Sequence, residues 1–348
     1  MSADPQMTDN RIDIAVVGAT GLVGEALLEV LAERDFPVGN LWPLASDRSL
    51  GRSATYNSRA IAVLDLAGFD FARSRLVFLC AGPDVSRELA PKALAAGCTV
   101  VDASGAFSSD EDVPLIVPEV NLHALDGYAE PKLVASPHAA TVPLVMALKP
   151  IHEAVGLEAI HLATYQSASG AGREAVEELA RQSISLLSGQ GPPEARGATR
   201  RSAFNCVPQI DGFEENGYTR DEMAIALETR RILEAPGLRV NVTTVRVPVF
   251  HGDAAVVSIE TRSKLSAAAA RKLLEKAPGI EVLDTRRPGG YATAANEAAN
   301  RDTVYVSRIR EYLSESRGLN LWIVADNVRK GAASNSVQIA EALAARTN

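Results

Sequence analysis

Apolar residues fall in short runs separated by stretches of helical spacing. Residues 12–17 form one such run, closed by Gly18, and Leu22, Ala26, Leu27 and Val30 then recur along one helix face. Residues 41–45 and 75–80 read as further strands, 85–96 as a helix and 99–102 as a strand. Residues 132–135 form another strand that leads into a helix over 141–153. This alternation predicts a parallel, doubly wound sheet. After about residue 155 the pattern changes. Residues 159–166, 239–249 and 254–261 read as longer strands rich in β-branched residues, with helices over 173–187 and 220–233 among them, the pattern of a mixed α+β domain. A Gly/Pro-rich, charged stretch over 189–201 reads as a flexible loop. A strand over 319–325 precedes a last helix, 328–344, expected to pack back on the first domain.

Composition narrows the class. With 348 residues, 47% hydrophobic and 22% charged, the chain is long enough for two domains with a sizeable core. A net charge of −8 argues against nucleic-acid or anionic-membrane partners. No apolar run reaches the roughly 18 residues of a membrane span. The polar, acidic start lacks the basic and apolar regions of a secretion signal and reads as a frayed tail. Cys80, Cys98 and Cys206 show neither paired nor metal-ligand spacing, which fits free thiols in a reducing cytoplasm.

Gly18, Gly21 and Gly24 occupy the first strand-to-helix turn, with Thr20, Leu22 and Val23 as further candidate contacts. Glycines there let backbone approach a pyrophosphate at the helix N-terminus. The second strand ends at Ser46, Asp47, Arg48 and Ser49. Asp47 suits ribose hydroxyls, but an arginine with hydroxyl neighbours suits a 2′-phosphate, so NADP is expected over NAD.

GATGLVG, ASDRSLG, DVPLIVPEVN, SGAG, RVPV and ADNVRKGAASNSVQIAE, in this order from about residue 12 to 344, resemble the aspartate-β-semialdehyde dehydrogenases. The resemblance implies a Rossmann-type NADP domain over 1–138, an inserted α+β substrate and dimerisation domain over 139–325, and a helix over 326–348 completing the first. It also implies a homodimer. In the family reaction a cysteine thiolate attacks the semialdehyde, hydride passes to NADP and phosphate cleaves the thioester, while a histidine moves protons.

Here the segment resembling the family's NPNCST reads Ser136-Pro137-His138-Ala139-Ala140-Thr141, with Ala139 in the nucleophile's place. Asp253 stands where the family has its histidine, and a carboxylate is a poor base at pH 7 unless burial raises its pKa. Ser108 and Ala224 replace the two cations that hold phosphate. Retained positions are Gln166, which orients substrate, Arg246, which binds its carboxylate, Ser169 and Gly170 near the nicotinamide, and Asn327 near the cofactor. His138, beside the vacant position, is either a structural histidine or an acid/base group. Cys80 and Cys98 read as core thiols. His251 would share a strand face with Asp253 unless Gly252 breaks the strand.

The joint replacements lead to the expectation of an NADP-binding protein of a Usg-like branch, without phosphorylating semialdehyde dehydrogenase activity. Its ligand would be a small carboxylate on Arg246, or NADP alone. Other readings are an NADP-dependent oxidoreductase that passes hydride directly to a carbonyl near His138, an active aspartate-semialdehyde dehydrogenase, and a dimeric scaffold.

Overall fold

The computed structural model describes residues 11–49, 51–128, 132–191 and 200–347. The first ten residues, read above as a frayed tail, and residues 192–199 of the Gly/Pro-rich loop lie outside the described part. β1 (Ile12–Val17) leads through the glycine turn into α1 (Leu22–Glu33) and β2 (Val38–Ala45). A hairpin of β3 (Ser53–Tyr56) and β4 (Arg59–Ala62) comes next, then β5 (Leu64–Asp65), β6 (Leu76–Leu79), α2 (Pro83–Ala95) and β7 (Thr99–Asp102). The one-turn α3 (Pro118–Asn121), β8 (Leu133–Ala135) and α4 (Thr141–Val155) complete this part. The strands form a six-stranded sheet in the order β5-β2-β1-β6-β7-β8, every neighbouring pair parallel. Both faces are covered, which explains the unbroken apolar run of β1. Ile14 and Val16 join one core with Leu27 and Leu31, and Ala15 and Val17 join the other with Leu89 and Ala93.

The second sheet is mixed. β9 (Leu157–Gln166) is followed by α5 (Arg173–Leu187), α6 (Arg220–Ile232), β10 (Arg239–Arg246) and β11 (Asp253–Thr261). Then come α7 (Ala267–Leu274), β12 (Ile280–Val282), β13 (Val304–Glu311), β14 (Gly318–Ala325) and α8 (Asn335–Thr347). The sheet order is β10-β9-β11-β14-β13-β12. α4 packs on this sheet: Val145 and Leu148 share a core with Val257 and Leu321. α8 returns to the first sheet, where Val337 and Ile339 pack with Ile14 and Phe78. The start of α4 therefore stands at the junction of the two sheets.

Several boundaries differ from the sequence expectations. β10 stops at Arg246, not 249, because Pro248 has no N–H for a ladder and Val249 N–H turns back to the Val247 carbonyl. β11 begins only at Asp253. Gly252 before it has φ of +82°, so His251 lies off the strand and does not share its face. The last helix does not run regularly from 328. Residues Arg329–Ser334 form a wide π-type turn before α8. Among the described residues, no helix is long and apolar enough to cross a membrane.

Candidate functional site

The glycine turn lies between the ends of β1 and β6, where chain order in the sheet reverses. Gly18 has φ of +82°, and a Cβ there would meet the Cys80 carbonyl oxygen at 2.9 Å, so only glycine fits without strain. Gly21 is the N-cap of α1 and offers no side-chain cap, which leaves the first-turn N–H groups of Leu22 and Val23 open to an anion. Thr20 Oγ1 donates to Ser49 Oγ at 3.1 Å and joins the two loops. Ser46 and Asp47 line an adjoining cavity of about 620 Å³ with Asp65, Phe69, Val85 and Lys92. A nucleotide fits this arrangement, with pyrophosphate on the turn and the nucleoside in the cavity.

A second group of residues gathers where α4 begins. His138 Nε2 lies 2.9 Å from Asp221 Oδ1. The other oxygen, Oδ2, accepts from Gln166 Nε2 at 3.0 Å. Glu228 Oε2 accepts from the His138 backbone N–H at 2.9 Å and from Thr141 Oγ1 at 2.7 Å. Asp221, Ala224 and Glu228 stand on one face of α6, at the helical spacing that brings them toward one neighbour. The helix starts where it does because Thr219 and Glu222 form a reciprocal capping box.

Arg246 and Asp253 approach from the strands. The Arg246 Nη1 donates to the Ser167 carbonyl at 2.6 Å. Asp253 Oδ1 accepts from the Ser167 N–H at 2.8 Å and its Oγ at 2.9 Å. Ser169 Oγ donates to Asn327 Oδ1 at 3.0 Å, and a Cβ on Gly170 would lie 2.7 Å from Arg246 Nη1. The Ser167–Gly170 turn is thereby fixed against both Arg246 and Asn327.

Charge is distributed unevenly among these groups. Burial opposes ionisation of His138, but the carboxylates of Asp221, Glu228 and Asp253 outweigh it and push its pKa up to about 9. Burial also works against the Asp221 charge, yet the His138 pair holds that carboxyl below its ordinary value. Burial pushes Glu228 up, toward its neutral form. It also raises Asp253, to about 6, against the Ser167 hydrogen bonds and the Arg246 charge.

The structure brings together His138, Gln166, Arg246 and Asp253, with Ser108 reaching Glu228. His138 is 27% exposed and paired to a carboxylate, a geometry that both a structural histidine and an acid/base group adopt. Ala139 is packed closely, since a Cβ on Gly331 would come within 2.9 Å of the Ala139 methyl. Asp221, Glu228 and Ser167 were not singled out in the sequence. The signal available was the acidic spacing on α6, which an exposed helix face also shows. Cys98 is fully buried, and its thiol donates to the Phe71 and Ser74 carbonyls. Burial pushes Cys80 up to about 12. Cys206 is exposed, next to Val207, whose backbone pairs with Arg246.

Two family models match this chain. Residues 13–128 match the semialdehyde dehydrogenase NAD-binding domain, and residues 148–330 match the semialdehyde dehydrogenase dimerisation domain. An aspartate-semialdehyde dehydrogenase of Legionella pneumophila is 49% identical over 96% of each chain. One from Shewanella violacea is 45% identical over 96% of this chain and 98% of its own. The chain belongs to the aspartate-semialdehyde dehydrogenase family. A crystal structure of the family's Vibrio cholerae enzyme II, complexed with ASA, superposes with a TM-score of 0.92 at 44% identity, covering 96% of this chain and 98% of that one.

These relatives correct two expectations. Assignment to a Usg-like branch has no support among them. The expectation that semialdehyde dehydrogenase activity is lost is contradicted, because proteins alike over almost the full length carry the name of the working enzyme. That expectation weighed the replacements at Ala139, Asp253, Ser108 and Ala224 and left out the groups that pack around them. The aspartate-semialdehyde dehydrogenase fold here gathers a paired imidazole, a guanidinium and a fixed turn.

Proposed function

We propose that the chain is an active NADP-dependent oxidoreductase acting on aspartate semialdehyde or a close carboxylate-bearing aldehyde. The observation that carries this reading is the buried Asp221 carboxylate, ion-paired to His138 and within the field of Arg246. Arg246 has one nitrogen on the Ser167 carbonyl, and the rest of its guanidinium can hold a carboxylate. When bound, the nicotinamide supplies or accepts the hydride.

His138 moves the proton. Its Nε2–H is committed to Asp221, while Ala140 N–H donates to Nδ1 at 3.2 Å, a contact that exists only while Nδ1 carries no proton. Protonating Nδ1 breaks that contact and frees one N–H donor on the ring and one on the backbone. Two donors then meet a carbonyl oxygen at the start of α4. In reduction the carbonyl carbon gains hydride and the oxygen takes the Nδ1 proton, giving an alcohol. Oxidation reverses both transfers. Because Ala139 offers no nucleophile, this route needs no thioester and no phosphate.

NADP is favoured over NAD by the hydroxyls of Thr20 and Ser49 with Arg48 in the same turn, although Asp47 and Asp65 line the adjoining cavity. Exposed Ile184, Leu187, Phe204 and Phe213 on the second domain support a homodimer. We keep the division into 1–138, 139–325 and 326–348.

Absorbance assays with aspartate semialdehyde and NADPH, and with the corresponding alcohol and NADP, each with and without phosphate, test this reading. Expected is phosphate-independent turnover that falls about a hundredfold in His138→Asn. Absence of turnover in both directions overturns the function. Phosphate dependence that disappears in Cys206→Ser overturns the direct route.

A further inference from the structure

Arg173 reaches out of the second domain to the nucleotide site. It opens α5 just after the turn Ala168–Ala171, in which Ser169 is bonded to Asn327. Its Nη2 donates to Glu25 Oε2 at 2.6 Å and to the Thr20 carbonyl at 3.5 Å. Thr20 belongs to the glycine turn, and Glu25 stands in the first turn of α1. Both contacts therefore fall on the segment whose Leu22 and Val23 N–H groups are open to an anion. Nε and Nη1 of Arg173 have no partner among the described residues.

As an ion pair alone this contact would do little. The Arg173 and Glu25 side chains are 39% and 49% exposed, and a pair so open to water contributes little stability. Glu25 also needs no cation of its own, since the N-terminal end of α1 already favours a negative charge. A dinucleotide changes this balance. Its pyrophosphate brings negative charge to the same end of the helix, where Glu25 becomes a like-charged neighbour. A guanidinium that keeps one nitrogen on Glu25 and turns the others to the phosphate answers both anions.

We infer that Arg173 binds the pyrophosphate of the cofactor from the second domain. This inference rests on the dinucleotide site and not on the proposed reaction. Its consequence is that the charge of the cofactor itself ties the Ser167–Gly170 turn of one domain to the glycine turn of the other.

Calorimetric titration with NADP, or with NAD if the wild type binds it more tightly, tests this. The control ligand lacks the pyrophosphate: 2′-AMP beside NADP, or adenosine beside NAD. Arg173→Gln should weaken dinucleotide binding roughly tenfold and leave control binding unchanged. Arg173→Lys should restore part of the loss, and thermal melting reports whether each variant is folded. Glu25→Gln separates the inference from a simple strap between domains. Removing the like charge frees Arg173 for phosphate, so dinucleotide binding should tighten by about threefold. A strap built on the Glu25–Arg173 pair would instead lose affinity alike in Glu25→Gln and Arg173→Gln, and that result overturns the inference. Unchanged dinucleotide affinity in Arg173→Gln, or an equal loss for the control ligand, overturns it too. The expected binding pattern without any semialdehyde turnover overturns the proposed function and leaves this inference standing; turnover with normal dinucleotide binding in Arg173→Gln does the reverse.

Discussion

An imidazole buried among apolar groups would lose its proton below neutrality, and His138 keeps its proton only because three carboxylates surround it. The consequence for stability has a definite sign. Its folded pKa, about 9, lies above the ordinary value near 6.5, so the folded protein holds this proton more tightly than the unfolded chain. The stabilisation is complete below the ordinary value and is lost as pH rises through the folded one. Asp221→Asn removes the nearest anion and leaves burial opposed only by Glu228 and Asp253. Melting temperatures measured at about pH 6 and about pH 10 should show a fall in the wild type that the variant largely lacks. The same substitution should move the alkaline limit of reductive turnover downward from near 9. An unchanged pH–rate profile in Asp221→Asn would remove His138 from the proton-transfer role.

α6 positions Asp221 in its first turn, and its start is fixed by Thr219 and Glu222. Thr219→Ala should cost about 1 kcal/mol of stability in urea unfolding, with Thr219→Ser restoring most of it. Turnover at neutral pH should fall with the loss of the cap, because the carboxylate paired to His138 is no longer held at one height. Much of this level was legible in the sequence. α5 begins and ends at the residues read for it, and β1 and β7 match their apolar runs, because each combines strong periodicity with glycine, proline or charge at its ends. β13 was missed because Arg308 and Arg310 interrupt its apolar alternation, and Arg308 has φ of +53° at a break in register. The β3–β4 hairpin is short and half exposed, which leaves little hydrophobic signal. For the site, Arg246 and Gln166 were readable as positions, but their partners were not. Asp221 comes to His138 only through the packing of α6 beside α4, and local pattern contains no trace of that contact.

The two sheets must keep a fixed relation if a nucleotide held by the first is to meet a substrate held by the second. One link is ionic and nearly dry. Lys330, in the wide turn after β14, is 2% exposed and donates to Glu119 Oε1 at 2.6 Å and to Gln338 Oε1 at 2.8 Å. Glu119 opens α3 on the first sheet's side, and Gln338 Nε2 on α8 also reaches its Oε1, at 2.7 Å. Burial opposes the Glu119 charge, but Lys330 outweighs it and holds the carboxyl below its ordinary range. This contribution is therefore present above the unfolded carboxylate value and is lost as pH falls through the lower folded one. Lys330→Met leaves an enclosed carboxylate without its counter-ion and should cost about 3–5 kcal/mol at neutral pH. Adding Glu119→Gln should recover most of that loss, since a neutral pair of similar shape has no charge to desolvate. If the double variant is as unstable as the single one, the link holds through packing and not through charge. If it regains stability but not turnover, the ion pair sets the alignment of the two sheets more than their cohesion.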